Sequence, residues 1–389
     1  MTSSSRSTPS SPRSSARPPS DAATPVVSMR DPGELIAALP YLMGFHPRDS
    51  LVVLAFGGPS GRRIGLTQRV DLPSPEHAPE VCRALAGNVL LSQPASAAVL
   101  VVGGRLGGAV AYGAVPPHEA LVTTATAALA DRGVPALIRA WAAGTGAGAA
   151  WACYDECRCR GALPDPETTP LAATAVAAGL MVYPDRAELE KIVAPGPPER
   201  LRRRAELLTR AVDAALDDAD RPGGPAGPDA AGAAVVDAAL AATAAGRLHL
   251  DDDRVVAIAL ALSDLAVRDA ALLRCARSDA GQSDAAAAEQ LWAALARESP
   301  DPEAAEPATL LAACALLRGD GALAGIALDR AQQAWPGHRL AGLLRAVWAA
   351  GMRPTQVREC LTTEPVPPAR RRVRRAGARG RSSRRRRRS

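Results

Sequence analysis

Residues 50–56 have the sequence SLVVLAF, and residues 97–102 have the sequence AAVLVV. Both are short, continuous apolar runs that contain β-branched valines, and such runs are typical of strands buried on both faces of a sheet. The turn-forming segment GGPSG follows the first run at 57–61, and a returning strand over Ile64 to Leu72 completes a predicted hairpin. These runs therefore predict a sheet with a buried centre.

Helical segments separate the predicted strands. The first begins at Asp31 and Pro32, an acidic cap followed by a proline in the first turn. The predicted helices cover 33–39, 79–91 and 117–131, and a further strand is predicted over 135–141. Strands that alternate with helices indicate an α/β domain with a mixed sheet, which we expect to span residues 31–194.

The hydrophobic period changes after about Ala194. Apolar residues then recur at helical spacing, which predicts an all-helical region over 197–362, with a Pro/Gly linker near 220–232. The first helix of this region has an arginine face that we expect to be solvated: Arg200, Arg202, Arg203 and Arg204.

Two segments of the helical region share one spacing of small and apolar residues. The first is Ala288, Trp292, Leu295 and Pro300, and the second is Ala324, Leu328, Ala331 and Pro336. This spacing is similar to that of the second helix and closing proline of a tetratricopeptide repeat. The alternatives are a layer of tetratricopeptide-like helix pairs and a plain helical bundle.

The formal net charge of +6 conceals three different compositions. Residues 370–389 contain twelve arginines and no acid, and residues 1–28 have a net charge of +2, which leaves −8 for residues 29–369. An acidic middle disfavours a basic nucleic-acid-binding domain. We expect the Ser/Pro-rich segment 1–28 and the Arg-rich segment 363–389 to be disordered, and Arg370–Ser389 to be able to contact polyanions without sequence preference.

Composition also limits the cellular location. The longest apolar run, Leu171 to Tyr183, is too short to span a membrane, and residues 1–21 lack the hydrophobic stretch of a secretory signal. Seven cysteines, an odd and mostly scattered set, are typical of reduced thiols. We therefore expect a cytoplasmic protein without a membrane span.

The densest polar cluster lies just before the first strand. His46 with Asp49 or Ser50 can serve acid–base chemistry, and Arg69 with Asp71 forms a second polar pair on the returning strand. The alternative is structural, with loop residues that satisfy turn amides and a surface ion pair on the strand. These five residues are the candidate catalytic positions.

Three segments resemble one known family. Residues 40–56, PYLMGFHPRDSLVVLAF, and residues 68–73, QRVDLP, are similar to the signature opening of the actinobacterial domain of unknown function family 4192. Residues 319–344, GDGALAGIALDRAQQAWPGHRLAGLL, resemble the C-terminal block of that family. The resemblance implies an actinobacterial lineage and a shared architecture from about Asp31 to Cys360, but no assigned activity.

Cys153, Cys157 and Cys159 form a thiol cluster after Trp151. Three thiols within seven residues can bind zinc with a fourth ligand from elsewhere, such as His118. The alternatives are a redox-sensitive disulfide and ordinary loop thiols. The family resemblance implies a Trp, a Cys and then Cys-Cys-Pro, which this chain matches only in part, because Arg158 separates the last two cysteines and no proline follows.

Other motifs are degenerate or missing. Residues 144–149, GTGAGA, match the dinucleotide-binding fingerprint only in its weakest form and are not followed by a predicted long helix. Lys191 is the only lysine and has no upstream glycine loop, which excludes a P-loop. The sequence also contains no H-E-x-x-H, G-x-S-x-G or EF-hand motif.

These observations favour a non-enzymatic interaction or scaffold protein that binds a protein partner through its helical region. One alternative is a small-molecule-binding protein or enzyme with its site near His46, Asp49, Arg69 and Asp71. A further alternative is a nucleic-acid accessory factor that acts through the Arg-rich segment. No cofactor other than zinc is predicted.

Overall fold

The computed structural model describes residues 32–61, 63–103, 115–177, 181–219, 230–277 and 282–363. The predictions for Asp31, for the disordered segments 1–28 and 364–389, and for most of the Pro/Gly linker lie outside these ranges. Within them, no helix is long and apolar enough to cross a bilayer.

The first half of the chain forms a mixed sheet, as predicted. Its strands are β1 (Ser50–Gly57), β2 (Arg63–Asp71), β3 (Ser96–Val102), β4 (Ala136–Ala142), β5 (Ala150–Cys153) and β6 (Arg160–Ala162). Their order is β2-β1-β3-β4-β5-β6. The pairing of β3 with β4 is parallel and every other pairing is antiparallel. The hairpin predicted over 50–72 is therefore confirmed.

Helices surround the sheet and make up the second half of the chain. The first half contains α1 (Pro32–Ala37), α2 (Leu39–Met43), α3 (Ala78–Leu91), α4 (Glu119–Ala130), α5 (Pro170–Ala177) and α6 (Arg186–Glu190). The second half contains α7 (Pro198–Ala219), α8 (Ala230–Ala244), α9 (Asp252–Leu262), α10 (Leu265–Ala276), α11 (Gln282–Glu298), α12 (Ala305–Arg318), α13 (Gly321–Ala334), α14 (Arg339–Ala349) and α15 (Pro354–Thr362). The regular elements described after Ala194 are all helices, which confirms the predicted helical region.

The central strands bury side chains on both faces. Successive side chains of a strand point to opposite faces. Val52 and Leu54 of β1 lie in one hydrophobic cluster, whereas Leu51 and Val53 lie in another. Each buried aliphatic side chain stabilises the fold by about 1.5–3 kcal/mol, so both faces must be covered. Helices α3 and α4 cover the face of Leu51 and Val53.

The opposite face packs into a cluster that also contains the core of the helical region. Val52 and Leu100 from the sheet share this cluster with Leu35 of α1 and with Ile258 and Leu311 of the second half. The two parts of the chain therefore share one continuous apolar core. The domain boundary at residues 194–197 stays a prediction.

Helices α11, α12 and α13 pack successively against one another. Four residues of the repeated spacing are buried: Trp292, Leu295, Leu328 and Ala331. Pro300 and Pro336 follow the ends of α11 and α13. The spacing thus marks core positions of neighbouring helices, and the interpretation as tetratricopeptide-like pairs stays a prediction.

Strands β5 and β6 were not predicted from the sequence. They have four and three residues, which is too short for a hydrophobic period to be visible. Helix α4 begins at Glu119 rather than at Pro117, because His118 adopts a left-handed conformation with φ of 66°. Cys153 is the last residue of β5, so this cysteine lies in the hairpin that β5 forms with β6.

The arginine face of α7 is only partly solvated. Arg202 is exposed, as expected, but the Arg204 side chain is 2% exposed. Its guanidinium donates to Asp252 Oδ1 at 2.8 Å, to Glu298 Oε2 at 2.5 Å and to the carbonyl oxygens of Glu298 and Leu250 at 2.7 and 3.0 Å. The expectation of a fully solvated face is therefore wrong, because Arg204 lies on the buried stripe of the helix and is neutralised there.

We expect Arg204→Met to lower the free energy of unfolding by about 2–3 kcal/mol, because Asp252 and Glu298 lose their buried cation and keep only the more exposed Arg203 and Arg200, at 2.5 and 3.2 Å. The matched control Arg202→Met removes an exposed arginine of the same helix and should change stability by no more than about 0.5 kcal/mol. Urea denaturation followed by circular dichroism measures both. Equal losses in the two variants would contradict the structural role of Arg204.

Candidate functional site

His46 joins the first helices to the end of strand β4. Gly44 ends α2 in a left-handed conformation, and the backbone N–H of His46 then donates to the carbonyl of Tyr183 at 3.1 Å. The imidazole Nδ1 forms a hydrogen bond of 2.8 Å with the hydroxyl of Thr145, which is buried just after β4. His46 is thus held at the edge of the sheet where the parallel strands β3 and β4 end.

Asp49 and Gly103 approach each other closely at the same edge. Asp49 has φ of 41°, and its carbonyl accepts a hydrogen bond of 2.9 Å from the N–H of Leu72. Gly103 follows β3 with φ of +91°, and a Cβ atom there would lie 2.6 Å from the Asp49 nitrogen. Only glycine fits at this position, so the loop before β1 is pressed against the end of β3.

Arg69 binds the start of β1. Its Nε donates to Ser50 Oγ at 2.8 Å and its Nη2 donates to Asp71 Oδ1 at 2.5 Å. The Ser50 hydroxyl in turn donates to the carbonyl of Arg48 at 2.6 Å. Arg69 is largely buried, with 13% of its side chain exposed, whereas Asp71 is 84% exposed. Arg69 and Asp71 therefore share one face of β2.

These hydrogen bonds divide the candidate catalytic residues into two groups. His46 is paired with Thr145, and Ser50, Arg69 and Asp71 are tied to the backbone of Arg48. The proton of Ser50 is donated to a carbonyl oxygen, which cannot act as a base toward a nucleophilic serine. The arrangement fixes the loop that enters β1.

A cavity of about 430 Å³ lies in the helical region, between α8, α10, α11, α12 and α15. This volume is within the usual range for sites that bind small organic molecules. The wall includes Trp292, which is fully buried, and alanines of several helices. Its charged lining includes Arg274, Arg277, Arg318 and Arg358.

Carboxylates pair with two of the four arginines of the cavity. Arg318 lies 3.0 Å from both Glu289 and Asp320, and Arg274 forms an ion pair with Asp237 outside the lining. Burial raises the pKa of Glu289, although the neighbouring Arg318 opposes this effect. Arg277 and Arg358 are the other two arginines of the lining.

Two thiols lie side by side on the wall of the cavity. The Sγ atoms of Cys275 on α10 and Cys314 on α12 are 3.3 Å apart. The hydrogen bond from Cys314 lowers the pKa of Cys275 against the opposing effect of burial. The same pairing raises the pKa of Cys314. This pair is close enough to be a target for oxidation.

A second thiol cluster lies at the β5–β6 hairpin. The Sγ atoms of Cys153, Cys157 and Cys159 all lie within 4.8 Å of one another. Burial and the adjacent Cys157 raise the pKa of Cys153 to about 12. His118, predicted as a fourth ligand, is not a member of this cluster in the described chain.

The glycine-rich segment 144–149 connects β4 to the antiparallel strand β5. A dinucleotide fingerprint requires a helix whose N-terminus faces the pyrophosphate. No helix opens there among the described residues, in which a strand follows instead. The degenerate fingerprint match therefore reflects a turn.

The protein is a mixed α/β sheet whose second face shares one apolar core with α1, α2 and an all-helical region. A family model described as "Domain of unknown function (DUF4192)" matches residues 32–355, and the chain belongs to this family. The resemblance of segments 40–56, 68–73 and 319–344 to that family is thereby confirmed. No protein with a curated description and no solved structure matches the chain.

The charged wall of the cavity escaped the sequence analysis. Arg277, Arg318 and Arg358 are about 40 residues apart along the chain, and arginine is abundant throughout. Sequence motifs are defined by residues that are close along the chain, whereas the packing of separate helices brings these side chains together. The thiols of Cys275 and Cys314 were likewise counted among scattered cysteines.

His46 should make stability depend on pH. Burial, aided by the charge of Arg48, lowers the pKa of His46 below its usual 6.5. As the pH falls below 6.5, the unfolded chain binds a proton at this position more readily than the folded chain, so the free energy of unfolding decreases. The variant His46→Asn should show a smaller decrease between pH 7.5 and pH 5.5, measured by urea denaturation at each pH.

The control for this experiment is His249→Asn, which replaces an imidazole whose side chain is 79% exposed. We expect this variant to keep the wild-type dependence on pH. Parallel pH profiles for the wild type and His46→Asn would contradict the assignment to His46.

Proposed function

We propose that the protein is a non-enzymatic binding protein whose helical region holds an organic anion in the arginine-lined cavity. The observation that carries this proposal is the cavity of about 430 Å³ with four guanidinium groups around an apolar wall. The protein-partner role predicted from the sequence belongs to the same helical region and stays a prediction.

The charge distribution supports an anionic ligand. Four arginines and two acids, Asp284 and Glu289, line the cavity. Arg318 already faces two carboxylates and Arg274 is paired with Asp237, which leaves Arg277 and Arg358 best placed to meet a ligand. Guanidinium groups bind carboxylate and phosphate oxygens through strong, charge-assisted hydrogen bonds.

The wall supports a ligand that also has an apolar body. Trp292, Leu240 and Leu317 line the cavity together with several alanines. Burying apolar ligand surface there contributes about 25 cal/mol per Å². An acid with a hydrocarbon or aromatic body satisfies both parts of the lining, whereas a small inorganic ion contacts only the arginines.

The alternative site at His46, Asp49, Arg69 and Asp71 receives less support. The side chains of His46 and Arg69 are engaged in hydrogen bonds to Thr145 and Ser50. A role through the Arg-rich segment 370–389 concerns residues outside the described chain and stays a prediction.

We expect 8-anilinonaphthalene-1-sulfonate, a fluorescent anion with an aromatic body, to bind with one site per chain. Decanoate and decyl phosphate should displace it, and decanol should displace it less well because it lacks the charge. The double variant Arg277→Gln/Arg358→Gln should weaken binding about tenfold, since solvent screening reduces each charged contact at the open rim to about 0.2–1 kcal/mol. Fluorescence titration measures these affinities.

The matched control is Arg202→Gln/Arg210→Gln, which removes two exposed arginines of α7 that do not line the cavity. This variant should bind as the wild type does, and both variants should keep the wild-type circular dichroism spectrum. Equal weakening in the two double variants would mean that net charge, and not the cavity, attracts the anion. Equal displacement by decanol and decanoate would refute the role of the arginines.

A further inference from the structure

We infer that Cys153, Cys157 and Cys159 form a zinc site with three thiolate ligands. This inference concerns the β5–β6 hairpin and is independent of the cavity in the helical region. It rests on the backbone that brings the three sulfur atoms together, on their spacing and on their access to solvent.

The register of the hairpin places two of the thiols opposite each other. Trp151 pairs with Gly161 and Ala152 with Arg160, so Cys153 and Cys159 occupy the next position along the ladder. The N–H of Cys153 donates to the carbonyl of Cys159 at 2.8 Å, so the two residues are hydrogen-bonded across the hairpin. Residues opposite each other in an antiparallel pair have Cβ atoms about 4.5–5.5 Å apart.

The turn brings the third thiol to the same place. Arg158 adopts a left-handed conformation with φ of 45°, and its N–H donates to the carbonyl of Asp155 at 2.9 Å. This tight turn reverses the chain between Cys157 and Cys159. All three Sγ atoms consequently lie within 4.8 Å of one another.

The loop is anchored from two neighbouring elements. The Asp155 carboxylate accepts hydrogen bonds from Arg139 on β4, at 2.6 Å from Nε and 2.5 Å from Nη2. The hydroxyl of Tyr154 donates to the carbonyl of Pro117, just before α4. A site held by such outer contacts requires little reorganisation when a ligand binds.

The sulfur spacing suits a tetrahedral metal ion. Zn–S bonds of about 2.3 Å separate tetrahedral sulfur ligands by about 3.8 Å. The thiols therefore need to move by about 1 Å or less, and each releases its proton to solvent when it binds. Soft thiolate ligands select zinc over the hard cations magnesium and calcium.

The environment leaves the fourth coordination position to water or an external ligand. Cys153 is buried, whereas Cys157 and Cys159 are exposed, so an ion can enter from the solvent side. Asp155 is already bound by Arg139, and His118 is outside the described cluster. A site with three protein ligands and an exchangeable fourth is the arrangement of zinc ions that bind or activate a ligand.

The test is metal analysis of the full chain, purified without a tag, reduced, reconstituted with zinc chloride and separated from free metal. We expect about one zinc per chain for the wild type and less than a tenth of that for Cys157→Ser/Cys159→Ser. The matched control Cys360→Ser removes an exposed thiol on α15 and should retain the wild-type zinc content. Replacement of zinc by cobalt should produce thiolate-to-cobalt charge-transfer absorption in the wild type and the control only.

Two results would overturn the inference. One is zinc well below one per chain in the reconstituted wild type. The other is equal zinc and cobalt binding in the wild type and in Cys157→Ser/Cys159→Ser. If the protein prepared without reductant instead contains a Cys157–Cys159 disulfide and the reduced protein binds no zinc, the cluster is a redox pair and not a metal site.

Discussion

Strands β1 and β3 bury side chains on both faces, so the sheet requires a covering layer on each side. Helices α3 and α4 provide one layer against Leu51 and Val99. The other face, with Val52 and Leu100, shares its core with the helices of the second half of the chain. The sheet and the helical region are therefore joined through one apolar core, to which α1 and α2 also contribute.

The buried arginines of the helical region differ from the exposed ones in the partners that they have. Arg204 is 2% exposed and is satisfied by two carboxylates and two carbonyl oxygens, and Arg330, 3% exposed, is bound by Asp301. These guanidinium groups have no remaining role for a ligand, because their hydrogen bonds already connect helices. Arg277, by contrast, is exposed at the rim of a cavity, and Arg274 beside it is exposed and paired with the exposed Asp237.

The sequence predicted the parts of the fold that depend on local pattern. The apolar runs 50–56 and 97–102 identified β1 and β3, because nearly every residue of a strand that is buried on both faces is apolar. Strands β5 and β6 were missed because they are too short to show a period. Arg204 was wrongly predicted to be solvated together with Arg202 and Arg203. Those two are exposed, whereas Arg204 lies on the buried stripe of α7. For the candidate sites, the spacing of the thiols was visible in the sequence, whereas the cavity arises from residues far apart in the chain.

The cavity lies where alanine-rich segments of several helices meet. Small side chains such as Ala308 and Ala312 let α12 pack closely against its neighbours, and both are fully buried. Where several helices meet at an angle, the same small side chains leave space unfilled. The cavity wall shows this effect with seven alanines: Ala241, Ala244, Ala271, Ala285, Ala286, Ala287 and Ala288. Because alanine supplies no chemistry, the charged side chains at the rim are the groups that the proposed anion would meet. These arginines come from separate helices, so no contiguous motif encodes them.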